Sequence, residues 1–92
     1  MIKEIVYQTR FKKDLKKLKK SNKDLSLLKE VIIKLQKEEP LDDKYVNHPL
    51  QGKFKGYYDC HIENDWVLIY GYSKNRLQLV CVRTGSHSEL FG

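Results

Sequence analysis

Residues 57–70 read YYDCHIENDWVLIY, and the two halves of this stretch carry different hydrophobic periods. In 57–63, Tyr58, Cys60 and Ile62 alternate with Tyr57, Asp59, His61 and Glu63. Period two with one apolar and one polar face marks a half-buried strand. Asn64-Asp65 turns the chain. WVLIY (66–70) is a continuous apolar run, suited to a central strand covered on both sides. Beyond a polar turn at Ser73-Lys74-Asn75, residues 77–84 give another strand. Consecutive strands joined by tight turns pair antiparallel. The core face of the last strand is not fixed by its pattern: Leu77, Leu79 and Cys81 share parity with Arg83, while Val80 and Val82 share it with Gln78. A bulge between them would reconcile the two sets.

Working outward toward the start of the chain, residues 40–56 (PLDDKYVNHPLQGKFKG) lack any period and hold two prolines and two glycines. This is an ordered loop of the long kind that is often functional. Two helices precede it. The first opens at Thr9 as N-cap and carries Phe11, Leu15 and Leu18; Ser21-Asn22 breaks it. The second runs over about 24–38 with Leu25, Leu28, Ile32 and Leu35 as its stripe, widened by Val31, and Pro40 ends it. The short break makes them an antiparallel hairpin. Residues 2–7 read as an opening strand. At the other end, Ser86 and Glu89 have the S-x-x-E spacing of a capping box, fitting one short helical turn. The expected fold is α+β, ordered β-α-α-β-β-β, with the helical hairpin on one face of a twisted antiparallel sheet.

The chain has 92 residues, which suits one domain over 1–92 and not two. No apolar run approaches the length of a membrane span, and MIKEIVYQTR has no signal-peptide core, so the expected compartment is the cytoplasm with no membrane partner. Cys60 and Cys81 lie in apolar runs without ligand spacing and read as reduced core residues. Eighteen Lys and Arg against twelve Asp and Glu give a net charge of +6. Residues 10–20 hold seven of the cations and a lone acid, Asp14. Such a run is either a solvated helix face or a polyanion-binding surface. The net sign points to RNA over lipid, because the helix's apolar side is needed for the core.

All three histidines, His48, His61 and His87, follow the helical hairpin. Their spacing matches no short zinc motif, so no metal and no cofactor is expected, although a zinc protein stands as a third reading that metal analysis would test. Asp59, His61 and Glu63 project from one strand face with Asp65 at the turn. A carboxylate beside an imidazole can fix its tautomer and serve general acid–base chemistry, while a merely solvated strand face is the plainer alternative. Metal-free RNA cleavage needs a base for the 2′-OH, an acid for the departing 5′-oxygen, cations for the phosphorane and a support for the bases. Histidines suit the first two roles, Arg83 with Lys53 or Lys55 the third, and Phe91 or Tyr57 the fourth by stacking. Taken singly, Arg83 could equally be a strand-end ion pair and Phe91 a core plug.

The segment NHPLQGKFKGYYDCHIENDWVLIY (47–70), followed by RTGSHSELFG (83–92), resembles the YafQ-type toxins of the RelE superfamily. The motifs H-P-L-x-G, D-x-H-x-x-x-D and R-x-G-(S/T)-H-x-x-L-F occur in order and at the family's spacing. The resemblance implies a RelE-like fold and an mRNA interferase that cuts messenger RNA in the ribosomal A site without metal. It also implies silencing by a DinJ-like antitoxin, with operator DNA bound only through that complex. Its functional positions fall on His48, Asp59, His61, Asp65, His87 and Phe91, with Arg83 as cationic partner and His87 as general acid. His48, His61 and Asp65 share the base and orienting roles, undivided. Lys12, Lys13, Lys16 and Lys17 are the expected contacts to ribosomal RNA. A non-cleaving module of the same fold that occludes RNA or the ribosome is the alternative. The geometric expectation is that the three histidines converge with Asp65 and Arg83 on the sheet face away from the helices.

Overall fold

Helical spacing of apolar residues is realised as two amphipathic helices packed on a sheet. The computed structural model describes residues 2–92 apart from Lys74 and Arg76, so Lys74 of the expected Ser73-Lys74-Asn75 turn lies outside the described residues. Helix α1 (Thr9–Lys20) buries Phe11 and Leu18, and with them Asp14. Helix α2 (Leu25–Gln36) buries Leu28, Val31, Ile32 and Leu35. Asp24 caps α2 by accepting from the Ser26 N–H at 3.0 Å. At α1 the N-cap is Gln8, not Thr9, and no side chain caps it. Ser21 follows α1, and Asn22 supplies the left-handed residue (φ 59°) that turns the chain into the second helix.

The sheet has the order β1-β5-β4-β3-β2, from β1 (Glu4–Tyr7), β2 (His48–Pro49), β3 (Tyr58–Glu63), β4 (Trp66–Ser73) and β5 (Gln78–Gly85). The β2–β3, β3–β4 and β4–β5 pairs are antiparallel. Strand β1 runs parallel to β5, pairing Glu4 with Gln78 through Tyr7 with Cys81, so the sheet is mixed. The reason is connectivity: β1 enters through the α-helical crossover, which removes the constraint that a tight turn imposes. Strand β2 arises inside the stretch read as an aperiodic loop, which also holds single 3-10 turns at Asp43–Tyr45 and Gly52–Phe54.

Both faces of β4 are covered, as its unbroken apolar run requires. On the helix side Trp66, Leu68 and Tyr70 join Cys60, Leu79, Cys81 and the buried residues of α1 and α2. Across the sheet Val67 and Ile69 pack with Val82 and Leu90, flanked by Leu50, Phe54, Tyr57 and Val80. Truncating a fully buried member such as Leu68 to Ala would cost roughly 2–5 kcal/mol. The register of β4 against β5 shifts between Ile69 and Tyr70, which face Arg83 and Cys81, so Val82 is the extra residue. This bulge settles the mixed parity of the last strand. Ahead of it Leu79 and Cys81 face the helices; after it Thr84 faces them, opposite Leu68. Gly71 is required for close packing, because a Cβ there would stand 2.6 Å from Tyr57 Cδ1. No described helix is long and apolar enough to cross a membrane.

Candidate active site

The polar face of β3 is turned from the helices because Cys60 and Ile62 are taken up by the core beneath them. Asp59 and His61 therefore project to the other side. Pairing of β2 with β3 sets His48 directly opposite Asp59. The His48 Nε2 lies 3.1 Å from Asp59 Oδ1, and its Nδ1 lies 3.2 Å from the Pro49 carbonyl oxygen. Asp59 is only 2% exposed, and its Oδ1 makes no well-aligned hydrogen bond: the imidazole is near enough for charge pairing but not directed for donation. Burial pushes the Asp59 carboxyl above its ordinary range, against the pull of His48, His61 and His87 around it.

The third histidine arrives on α3 (His87–Phe91). Ser86 and Glu89 close the expected capping box: the Ser86 N–H donates to Glu89 Oε1 at 2.9 Å, and the Glu89 N–H donates to Ser86 Oγ at 3.3 Å. The Ser86 N–H bond holds the Glu89 carboxyl down to about 2, with the Lys17 ammonium at 2.9 Å and the Ser86 hydroxyl at 3.0 Å adding to the effect. The His87 N–H donates to Asp65 Oδ1 at 3.2 Å, and His87 Nδ1 lies 3.7 Å from the same oxygen. The rings of His87 and His61 have centroids 5.0 Å apart, and Phe91 lies 5.6 Å beyond His87. Phe91 is held edge-on by Phe54 at 5.9 Å yet stays 43% exposed, which leaves a face for stacking.

His48, Asp59, His61, Asp65, His87 and Phe91 are thus brought to one region on the sheet face away from the hairpin. Arg83 is not among the histidines. Its guanidinium donates to Asp14, Nε to Oδ2 at 2.9 Å and Nη2 to Oδ1 at 3.0 Å, and this bond is the first cause of its raised pKa. It borders instead a hollow shared with Arg10, Lys53, Phe54 and Phe91. Lys53 stands over the Phe54 ring at 5.3 Å, and Lys55 is exposed beside it. Tyr57 packs into the smaller core against Gly71 and presents little surface to stack on. On α1, Lys12, Lys13 and Lys16 are exposed, while Lys17 pairs with Glu89.

Two residues that sequence reasoning passed over hold this arrangement. Asp14 was visible as a lone acid in a basic run, but its partner lies 69 residues away. Glu89 was legible as a cap and not as the acceptor of Lys17. Tertiary packing also gathers what sequence spacing separated: Asp59, His61 and His87 each offer a ligand-capable atom, all within 4.8 Å of one another, a spacing one metal ion could bridge.

A family model described as a bacterial toxin of type II toxin–antitoxin system, YafQ, matches residues 3–92. The mRNA interferase toxin YafQ of Escherichia coli K12 is 41% identical over 90 residues, covering 97% of this chain and 96% of that protein. Among solved structures, the E. coli DinJ–YafQ complex matches with a TM-score of 0.88 at 41% identity, covering the whole of both chains. A metal-bound toxin from Helicobacter pylori matches with a TM-score of 0.90 at 44% identity, over 99% of this chain and all of that one.

Proposed function

The chain belongs to the YafQ family of toxins of type II toxin–antitoxin systems, and from that premise we propose that it is an mRNA interferase, an endoribonuclease acting in the cytoplasm on mRNA in the ribosome. The observation that carries the reading is the gathering of His48, Asp59, His61, Asp65 and His87 from two strands, a turn and a short helix onto one face.

Cleavage proceeds by attack of the 2′-oxygen on the adjacent phosphorus. A basic group of the His48, His61, Asp59 and Asp65 set takes the 2′ proton as the new P–O bond forms. His87, half-exposed and loosely held by Asp65, gives a proton to the 5′-oxygen as the P–O5′ bond breaks, leaving a 2′,3′-cyclic phosphate and a 5′-hydroxyl. Lys53, Lys55 and Arg83 supply positive charge at the Phe91 end, and Phe91 stacks on a base. These groups suffice for the reaction without metal. An ion bridging Asp59, His61 and His87 would occupy the lone pairs that proton transfer uses.

The cognate partner is a DinJ-like antitoxin, and operator DNA is bound only by the complex. Lys12, Lys13 and Lys16 contact ribosomal RNA, so reversing their charge should make the salt dependence of ribosome binding shallower by a log–log slope of about two to three. The central test is expression alone in a bacterium, followed by mapping of new 5′ ends on translated messages. Growth arrest with discrete cuts in translated messages, and relief by the antitoxin, is the expected result. Normal growth at verified soluble expression, or inhibition without new ends, overturns the nuclease reading.

A further inference from the structure

Asp14 is the lone acid among the cations of residues 10–20, and it is buried to 8% exposure while the lysines around it face solvent. A carboxylate is removed from water at a cost of several kcal/mol unless its oxygens are fully engaged. Here three donors engage it: Arg83 Nε at 2.9 Å, Arg83 Nη2 at 3.0 Å and the Thr84 N–H at 3.1 Å. Thr84 is fixed from its other side as well, since its Oγ1 accepts from Trp66 Nε1 at 2.9 Å and donates to the Val67 carbonyl at 2.9 Å. The clamp sits just past the Val82 bulge, where the ladder is irregular and the strand's direction is least determined by its neighbours.

One turn further along the same edge of α1, Lys17 Nζ reaches Glu89 Oε2 at 2.9 Å, while Glu89 Oε1 receives the Ser86 N–H. Helix α1 therefore grips the chain at 83–84 and again at 89, on either side of His87. We propose that Asp14 and Glu89 are positioning residues for the catalytic acid: acting through Arg83, Thr84 and the Ser86 cap, they set where His87 stands relative to His61 and Asp65. The proposal rests on the nuclease reading with His87 as acid. It adds that the helix face read as a polyanion surface also has a structural arm reaching the site. Asp14 touches none of the reacting atoms; a displacement of about 1 Å in an acid it holds can cost on the order of a hundredfold in rate.

The test uses the full chain, programmed ribosomes and single-turnover cleavage. Asp14→Asn places an amide donor against the guanidinium. The rate at saturating ribosome should fall about tenfold to a hundredfold, with half-saturation within about twofold of wild type. Glu89→Ala should lose about tenfold in the same manner, and Glu89→Gln, which can rebuild the capping box, should recover most of it. Glu89 is exposed, so this pair decides the matter even where Asp14→Asn does not fold. The ring resonances of His87 should shift in Asp14→Asn and Glu89→Ala while those of His48 stay, which reads the positioning without any cleavage. Wild-type rates in Glu89→Ala, a loss carried wholly by half-saturation, no rescue by Gln, or unmoved His87 resonances each overturn the proposal. A wild-type protein that does not cut, with the resonance shifts present, would count against the nuclease reading alone.

Discussion

His48 meets Asp59 at 3.1 Å with the carboxylate side chain 2% exposed; His87 meets Asp65 at 3.7 Å with the carboxylate 73% exposed. The residue types are the same, and the backbone makes the difference. Asp59 lies in β3 between β2 and β4, so sheet neighbours close over it. Asp65 lies on the turn after β3, and its histidine is the first residue of a five-residue helix. The first pair sets a buried, fixed carboxylate beside a half-exposed ring that is near it but not directed to donate. The second is screened by water and contributes little to stability. Such a pair leaves the His87 ring half-exposed and only loosely tied to its carboxylate. On the proposed mechanism the sheet supplies a fixed carboxylate and the chain end supplies the proton donor.

The largest effect should separate the pairs most sharply. His87→Ala should lower cleavage by about 10²–10⁴, with thermal unfolding and antitoxin binding unchanged, as read by primer extension and calorimetry. A fully active His87→Ala protein would break the division of roles. Next, Asp59→Asn should slow cleavage by about tenfold to a hundredfold and Asp65→Asn by less than about tenfold, since only the first alters a buried carboxylate that lies among all three histidines. The reverse order would invert the comparison.

A third measurement concerns stability. Burial raises the Asp59 carboxyl, so the folded protein keeps that proton to higher pH than the unfolded chain does. Ionised Asp59 therefore costs stability as pH rises through that range. Asp59→Asn should consequently melt at or above the wild-type temperature at neutral pH, and Asp65→Asn should melt at the wild-type temperature; a large loss in Asp59→Asn would mean the pair stabilises the fold after all. The smallest effect lies in the cap of α3. Glu89 is depressed from 4.5 to about 2, so its contribution is complete above about pH 4.5 and fades as pH falls toward about 2. The melting difference between wild type and Glu89→Gln should narrow over that interval and no other.

Much of this is legible in the sequence. The alternation in 57–63 fixed which side of β3 carries Asp59 and His61, because Cys60 and Ile62 must be buried. The S-x-x-E spacing gave the α3 cap. What escaped was non-local. Nothing in the sequence near Asp14 or Arg83 states that they meet, so Arg83 was expected beside the histidines and is instead held by α1. Likewise β2 is only two residues long and carries a proline, too short for any period, yet its register is what sets His48 against Asp59. The burial of Asp59 follows from that pairing and from no property of its own neighbours in the sequence.

The parallel pairing of β1 with β5 also sets the order of events when the protein forms. Glu4 and Gln78, joined by side chains at 2.7 Å, are 74 residues apart. A contact of that span must overcome the entropy of closing nearly the entire chain into a loop before it is rewarded, and such contacts are made late. The β3–β4 hairpin, closed by a two-residue turn, can form early with Asp59 and His61 already in place. Strand β5 leads directly into the segment that bears His87. Folding therefore closes the β3–β4–β5 meander first and adds β1 last, and a molecule halted before that least local step keeps its hairpins with one edge of β5 unpaired.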